Sequence, residues 1–81
     1  MRFFFNLAGA VYDPDNLGVE LASISTARKM AVQAAAEIIR DRPELVWTGD
    51  EVRVEVTDEN QLLLFTIIVL GVNAAAAAHM S

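Results

Sequence analysis

Val52-Arg53-Val54-Glu55-Val56-Thr57, followed after a polar break by Leu62-Leu63-Leu64-Phe65-Thr66-Ile67-Ile68-Val69-Leu70, decides how this chain folds. The first run alternates apolar and polar residues without a fault. That is the signature of a strand with one dry and one wet face. The second run is apolar on both parities, with leucines 62, 64 and 70 and Ile68 on one and Leu63, Phe65, Ile67 and Val69 on the other. Both of its faces therefore need cover. Asp58-Glu59-Asn60-Gln61 between the runs reads as a hairpin turn, with Asn60 best suited to a left-handed backbone.

Working outward, residues 2–7 read as a first strand and residues 10–12 as a short second one, separated by the small-residue stretch Ala8-Gly9-Ala10. Residues 13–18 are dense in turn formers. A helix follows, with Ser23 as the expected N-cap and Ser25 as the competing one. Ala27, Met30, Ala31, Ala34 and Ile38, with Ala35 beside them, recur at helical spacing and form one apolar stripe. Pro43 ends the helix because it disfavours helical geometry at Arg42. The third strand spans 51–57 and the fourth 62–70. The expected fold is thus α+β: a two-layer β-β-α-β-β domain over residues 1–73, with a four-stranded antiparallel sheet and one helix on one face. The first and fourth strands are the most apolar, which places them centrally. Residues 74–81 form an alanine-rich tail whose helix would be too short to stand alone, and residues 79–81 are expected to fray.

The chain has 81 residues, no cysteine and a net charge of −5. A domain this small buries only roughly 60–65% of its unfolded surface, so it is marginal by itself. Neither a disulfide nor a thiolate metal site is available to it. One helix covers one sheet face, and the doubly apolar fourth strand asks for more. A second copy is the simplest answer, and Leu63, Phe65, Ile67 and Val69, with the solitary Trp47, are the expected interface residues of a homodimer. Trp47 also has a structural reading, closing the end of the core over the helix C-terminus.

The charge argues against nucleic acid, which needs a clustered positive patch. Phe3, Phe4, Phe5, Tyr12 and Phe65 therefore read as core rather than as base-stacking residues. Residues 60–81 carry no charge apart from His79. Their acidic upstream flank, their β-branched cluster and the breaks at Gly71 and Asn73 disfavour a membrane tail anchor. A cytoplasmic, acidic protein is the expectation.

No enzyme chemistry is legible. His79, the only histidine, sits on the tail, whereas a general base has to be held in place. Ser23, Ser25 and Thr26 read as helix-start residues, and Asp50-Glu51 and Asp58-Glu59 as turn acids. The best metal candidate is residues 13–20. Asp13, Asp15 and Gly18 match the first, third and sixth positions of a calcium loop. Leu17 stands at the fifth and Ile24 at the twelfth, where oxygen ligands are required. No metal, cofactor or catalytic residue is therefore expected.

Arg2-Phe3-Phe4-Phe5-Asn6-Leu7, then Asp15-x-x-Gly18-x-Glu20-Leu21, Ala27-Arg28, Ala31 and Val54-Glu55-Val56-Thr57-Asp58-Glu59, resembles a family of short bacterial proteins classed as a domain of unknown function. The resemblance covers about residues 2–70. Asn6 stands where that family usually has aspartate, and Asn60 where it more often has glycine. It implies a compact α+β domain and supplies neither a catalytic residue nor a ligand. A looser likeness links the opening strands, the aspartate/glycine loop and the helix to small antitoxin domains. It implies a binding module whose acidic surface neutralises a basic protein partner.

Overall fold

A computed structural model describes residues 1–80, and Ser81, the last residue of the tail expected to fray, lies outside the described residues. The elements are β1 (Arg2–Gly9), β2 (Val19–Glu20), α1 (Ile24–Asp41), β3 (Val52–Thr57) and β4 (Leu63–Val69). The four strands form one antiparallel sheet in the order β2-β1-β3-β4, and α1 packs on one of its faces. This is the expected α+β architecture.

β3 is central because its two faces suit that place. Val52, Val54 and Val56 are all 1% exposed or less and point to the helix. In antiparallel pairs, residues opposite one another share a face. Leu7 and Ile67 flank Val54, and Phe5 and Phe65 flank Val56, so one apolar row crosses three strands. Phe3 completes it, fully buried. Gly9 ends β1 with φ +85°, and a Cβ there would collide with the Glu51 carbonyl, so only glycine lets the two chains approach.

α1 begins where expected. The Ser23 hydroxyl accepts from the Thr26 N–H at 3.2 Å. At the other end the Arg42 N–H donates to the Ile38 carbonyl at 2.8 Å, and Pro43 opens a short 3-10 turn, Pro43–Trp47. The buried ridge of α1 is Ala27, Ala31 and Ala35. Met30, Ala34 and Ile38 flank it, half-buried. Methyl side chains let the helix axis sit close to the valine row, and the larger residues reach down on either side.

Three expectations need correction. Residues 10–12 are not a strand, and Tyr12 is 79% exposed. β2 is Val19–Glu20, paired with Arg2 and Phe3. Gly9 turns the chain away, the Ala10 N–H goes to the Glu51 carbonyl, and only Asp13 returns to bridge Leu7. Second, β1 and β3 are central, and β4 is an edge. Strand apolarity failed as a guide because the alternating β3 needs its valine face buried more completely than β4 needs either of its own. Third, the left-handed residue of the 58–61 turn is Gln61, with φ 64°, not Asn60. The Asp58 carboxylate accepts from the N–H groups of Asn60 at 2.8 Å and Leu62 at 3.0 Å. This side-chain turn leaves Asn60 outside the left-handed region and passes the reversal to the next residue. The pairing of β3 with β4 is also irregular between Val56 and Thr57, where Leu64 is the extra residue of a β-bulge.

The tail forms a short 3-10 turn, Ala75–His79, with no buried residue. The radius of gyration is 14.6 Å, above the roughly 12 Å of a compact chain of this length. The tail therefore stands off the body. Among the described residues, no helix is long and apolar enough to cross a membrane.

Candidate functional site

Three surfaces carry the side chains that the sequence singles out: the loop beside β1, the helix-free face of the sheet, and the free edge of β4.

The loop beside β1 is a clamp. Asp15 Oδ2 accepts the Phe5 N–H at 3.1 Å, and Oδ1 accepts the N–H groups of Leu17 at 3.0 Å and Gly18 at 3.1 Å. The Asp15 N–H in turn donates to Asn6 Oδ1 at 2.9 Å, and the Asn6 amide nitrogen donates across the sheet to the Glu55 carbonyl at 3.2 Å. Burial pushes the Asp15 carboxyl up, but the N–H groups of Gly18, Phe5 and Leu17 and the charge of Arg2 outweigh it and hold it below the usual aspartate value. Both oxygens are thus committed to backbone donors. Leu17, at the would-be fifth ligand position, is 82% exposed. Among the described residues there is no group of three or more His, Cys, Asp or Glu arranged to hold a metal.

The helix-free face carries Phe4, Asn6 and Ala8 from β1, Arg53, Glu55 and Thr57 from β3, and Leu63, Thr66 and Ile68 from β4. Arg53 is held on both sides. Its Nη1 donates to Glu51 Oε1 at 2.6 Å and its Nε to Glu55 Oε2 at 3.1 Å. The two carboxylates raise the Arg53 pKa further, while the backbone N–H of Glu51 and the Arg53 guanidinium lower that of Glu51. The guanidinium is therefore neutralised within the sheet and offers no free positive charge to a phosphate. Beside it, a shallow groove of about 560 Å³ runs between Phe4, Tyr12, Glu55, Asp58 and Glu59. It is acidic and aromatic, and its lining hydroxyls, those of Tyr12 and Thr57, have no histidine among the described lining residues.

The edge of β4 is bare. Leu7 exchanges both backbone bonds with Asp13, at 3.0 and 3.1 Å, so its N–H and C=O point away from β3. Leu7 lies opposite Val54, and Val54 opposite Ile67. Antiparallel alternation then directs the backbone groups of Val54 and Ile67 at each other, and those of Thr66 and Ile68 at the free edge. No strand pairs there among the described residues.

The expected interface residues separate on this frame. Phe65, Ile67 and Val69 lie on the helix face and are half-buried. Leu63 is on the opposite face, 54% exposed. Trp47 is 60% exposed, and the end of the core is closed instead by Leu45, 5% exposed, two residues before it. One face of the indole rests on Gly71, where an added Cβ would lie 2.6 Å from the ring. The Gly71 N–H donates to the Val46 carbonyl at 3.2 Å, tying the exit of β4 to the turn after α1. Leu70 and Val72, beside Gly71 in the chain, are each more than half exposed, as are Ile68 within β4 and Leu62 before its start.

Sequence reasoning missed the Asn6–Asp15 clamp and the Glu51–Arg53–Glu55 row. The clamp had a signal in Asp15-x-x-Gly18, an aspartate placed to cap its own loop. The row had one in the period-two placement of opposite charges on a strand.

Searches of curated proteins and of solved structures give no match to this chain. A family model does match, across both sheet edges and the helix, and through residues 2–71 the chain belongs to the domain of unknown function family DUF6894.

Proposed function

We propose that this chain is a non-enzymatic interaction module that works as a homodimer. One observation carries the reading: half of the large apolar residues that stand exposed, Leu62, Leu63, Ile68, Leu70, Val72 and Trp47, gather on β4 and its flanks. Scattered apolar side chains are normal on a monomer, whereas a contiguous patch marks an interaction surface. The same segment bears no charge in a chain of net charge −5, so two copies meet there without bringing like charges together. Sedimentation equilibrium from micromolar to millimolar concentration tests it. The expected result is a mass twice that of the chain, and a monomer throughout that range would sink the reading.

The groove between Phe4, Tyr12, Glu55, Asp58 and Glu59 favours a second reading. Acids beside an exposed aromatic ring suit a lysine- or arginine-bearing segment of a basic protein, through charge pairing and cation–π contact. Titration with a basic peptide in low and in high salt tests it, with affinity falling as salt rises. Affinity indifferent to salt, or no binding at low salt, would remove it.

A further inference from the structure

The self-association proposed above has a specific geometry written into β4, and this inference rests on that reading. We propose that two copies join edge to edge through β4, antiparallel, about a two-fold axis at Thr66, to make one continuous eight-stranded sheet.

The free edge presents the N–H and C=O of Thr66 and Ile68. An antiparallel strand added there must bring residues with outward backbone groups opposite one another. A second copy of β4 does this in several registers. The bulge at Leu64 limits regular alternation to Phe65–Val69, and within that stretch a two-fold axis at Thr66 sets Phe65 opposite Ile67 of the partner copy. Thr66 then faces its own equivalent as a hydrogen-bonded pair. That pair closes about two N–H···O=C bonds across the junction. Side chains agree with the backbone. Phe65 and Ile67, half-buried on the helix face, gain each other across the junction as aromatic and β-branched neighbours. On the helix-free face Thr66 meets Thr66, a pair whose hydroxyls bond across strands.

The occupant is a second copy because the surface is self-complementary and uncharged. A natural edge strand ordinarily carries lysine, proline or a very short length to prevent this pairing. β4 is seven residues long and carries neither lysine nor proline. The assembly also closes. At the far edge β2 has only two residues, and beyond it Asp13 and the Asp15 carboxylate occupy the outward groups of Leu7 and Phe5. Growth beyond two copies has no free edge to use, so the product is a dimer and not a fibre.

Single-cysteine variants of this cysteine-free chain test the register. T66C, I68C and L63C are placed along β4, and K29C on the exposed surface of α1 serves as the collision control. Each is oxidised at about 10 µM after its circular-dichroism spectrum is matched to the parent chain. Thiols held together experience a millimolar effective concentration, so T66C crosslinks roughly 100-fold faster than K29C. Its Cα atoms lie about 5.5 Å apart in a hydrogen-bonded pair, within disulfide reach. I68C and L63C face other residues and stay near the control rate. The mass of the parent chain is measured alongside. A dimeric parent in which T66C reacts no faster than K29C, or more slowly than I68C, overturns the edge register and leaves self-association standing. A monomeric parent overturns both.

Discussion

The two edges of this sheet are treated in opposite ways. The outer edge of β1 is dressed along its length: β2 covers Arg2 and Phe3, the Asp15 carboxylate takes the Phe5 N–H, and Asp13 takes Leu7. Among the described residues, no strand pairs with the outer edge of β4. Leaving strand donors unpaired is a hazard that small domains ordinarily suppress. The chain spends the nine loop residues between Gly9 and Val19 on guarding one edge and none on the other. The guard also shows how an edge is silenced without a full strand, by one carboxylate that collects three N–H groups.

Removing the guard should have the largest effect. Asp15→Ala leaves the N–H groups of Phe5, Leu17 and Gly18 without their charged acceptor and should lower the unfolding free energy by about 2–3 kcal/mol in urea titration. The effect has a pH signature. Asp15 has a depressed pKa in the folded chain, so its contribution is present above the ordinary aspartate value of 3.8 and is lost as pH falls through the lower folded value. The difference between the parent and Asp15→Asn should therefore be constant from neutral pH down to about pH 5 and shrink below pH 4. A gap that widens on acidification would show that Asp15 is not the stabilising group.

Gly71→Ala sharpens the other side of the comparison. The new Cβ must displace the Trp47 ring from the exit of β4. The indole is already more than half exposed and has room to swing, so a cost of about 1 kcal/mol is expected, read as a small fall in thermal midpoint. No change at all would mean that the indole does not rest on Gly71 in solution.

Ile68→Lys installs on β4 the kind of residue that natural edges use. At 56% exposure the side chain can place its ammonium in water, so the cost to the isolated fold should stay within about 0.5 kcal/mol. The dimer mass should vanish, and with it any dependence of the thermal midpoint on protein concentration. A dimer that survives this substitution would move the interface away from the edge.

Truncation after Asn73 should have the smallest effect. The tail has no buried residue and stands off the body, so the unfolding transition should not move. A collapse of the transition would place the tail in the core.

Much of this was legible in the residues. Ser23, Pro43 and the alternating valines of β3 are local signals, and each placed its element within a residue or two. The strand order was not legible. Strand apolarity measures how much cover a segment wants, whereas position in a sheet depends on which pairings the loops permit. The loop of residues 10–18 permits β1 only two residues of pairing with β2, which sends β1 to β3. The candidate surface was half visible. The apolar run of residues 62–70 announced a strand lacking cover, but the expected answer was a face. Phe65, Ile67 and Val69 turn toward α1, while the backbone edge stays unpaired among the described residues and Leu63 and Ile68 stand exposed on the helix-free face. Hydrogen-bond direction alternates along a strand whatever the side chains are, so no reading of residue types reveals which carbonyls point outward.

The indole at Gly71 has a practical consequence. Trp47 is the sole tryptophan, so all long-wavelength emission from this protein comes from the point where β4 leaves the sheet. Fluorescence at that wavelength will report the docking of the strand exit against the 3-10 turn and little else. The polypeptide thus carries its own optical gauge at one end of β4, and mixing experiments can be followed by colour shift or anisotropy with no dye attached.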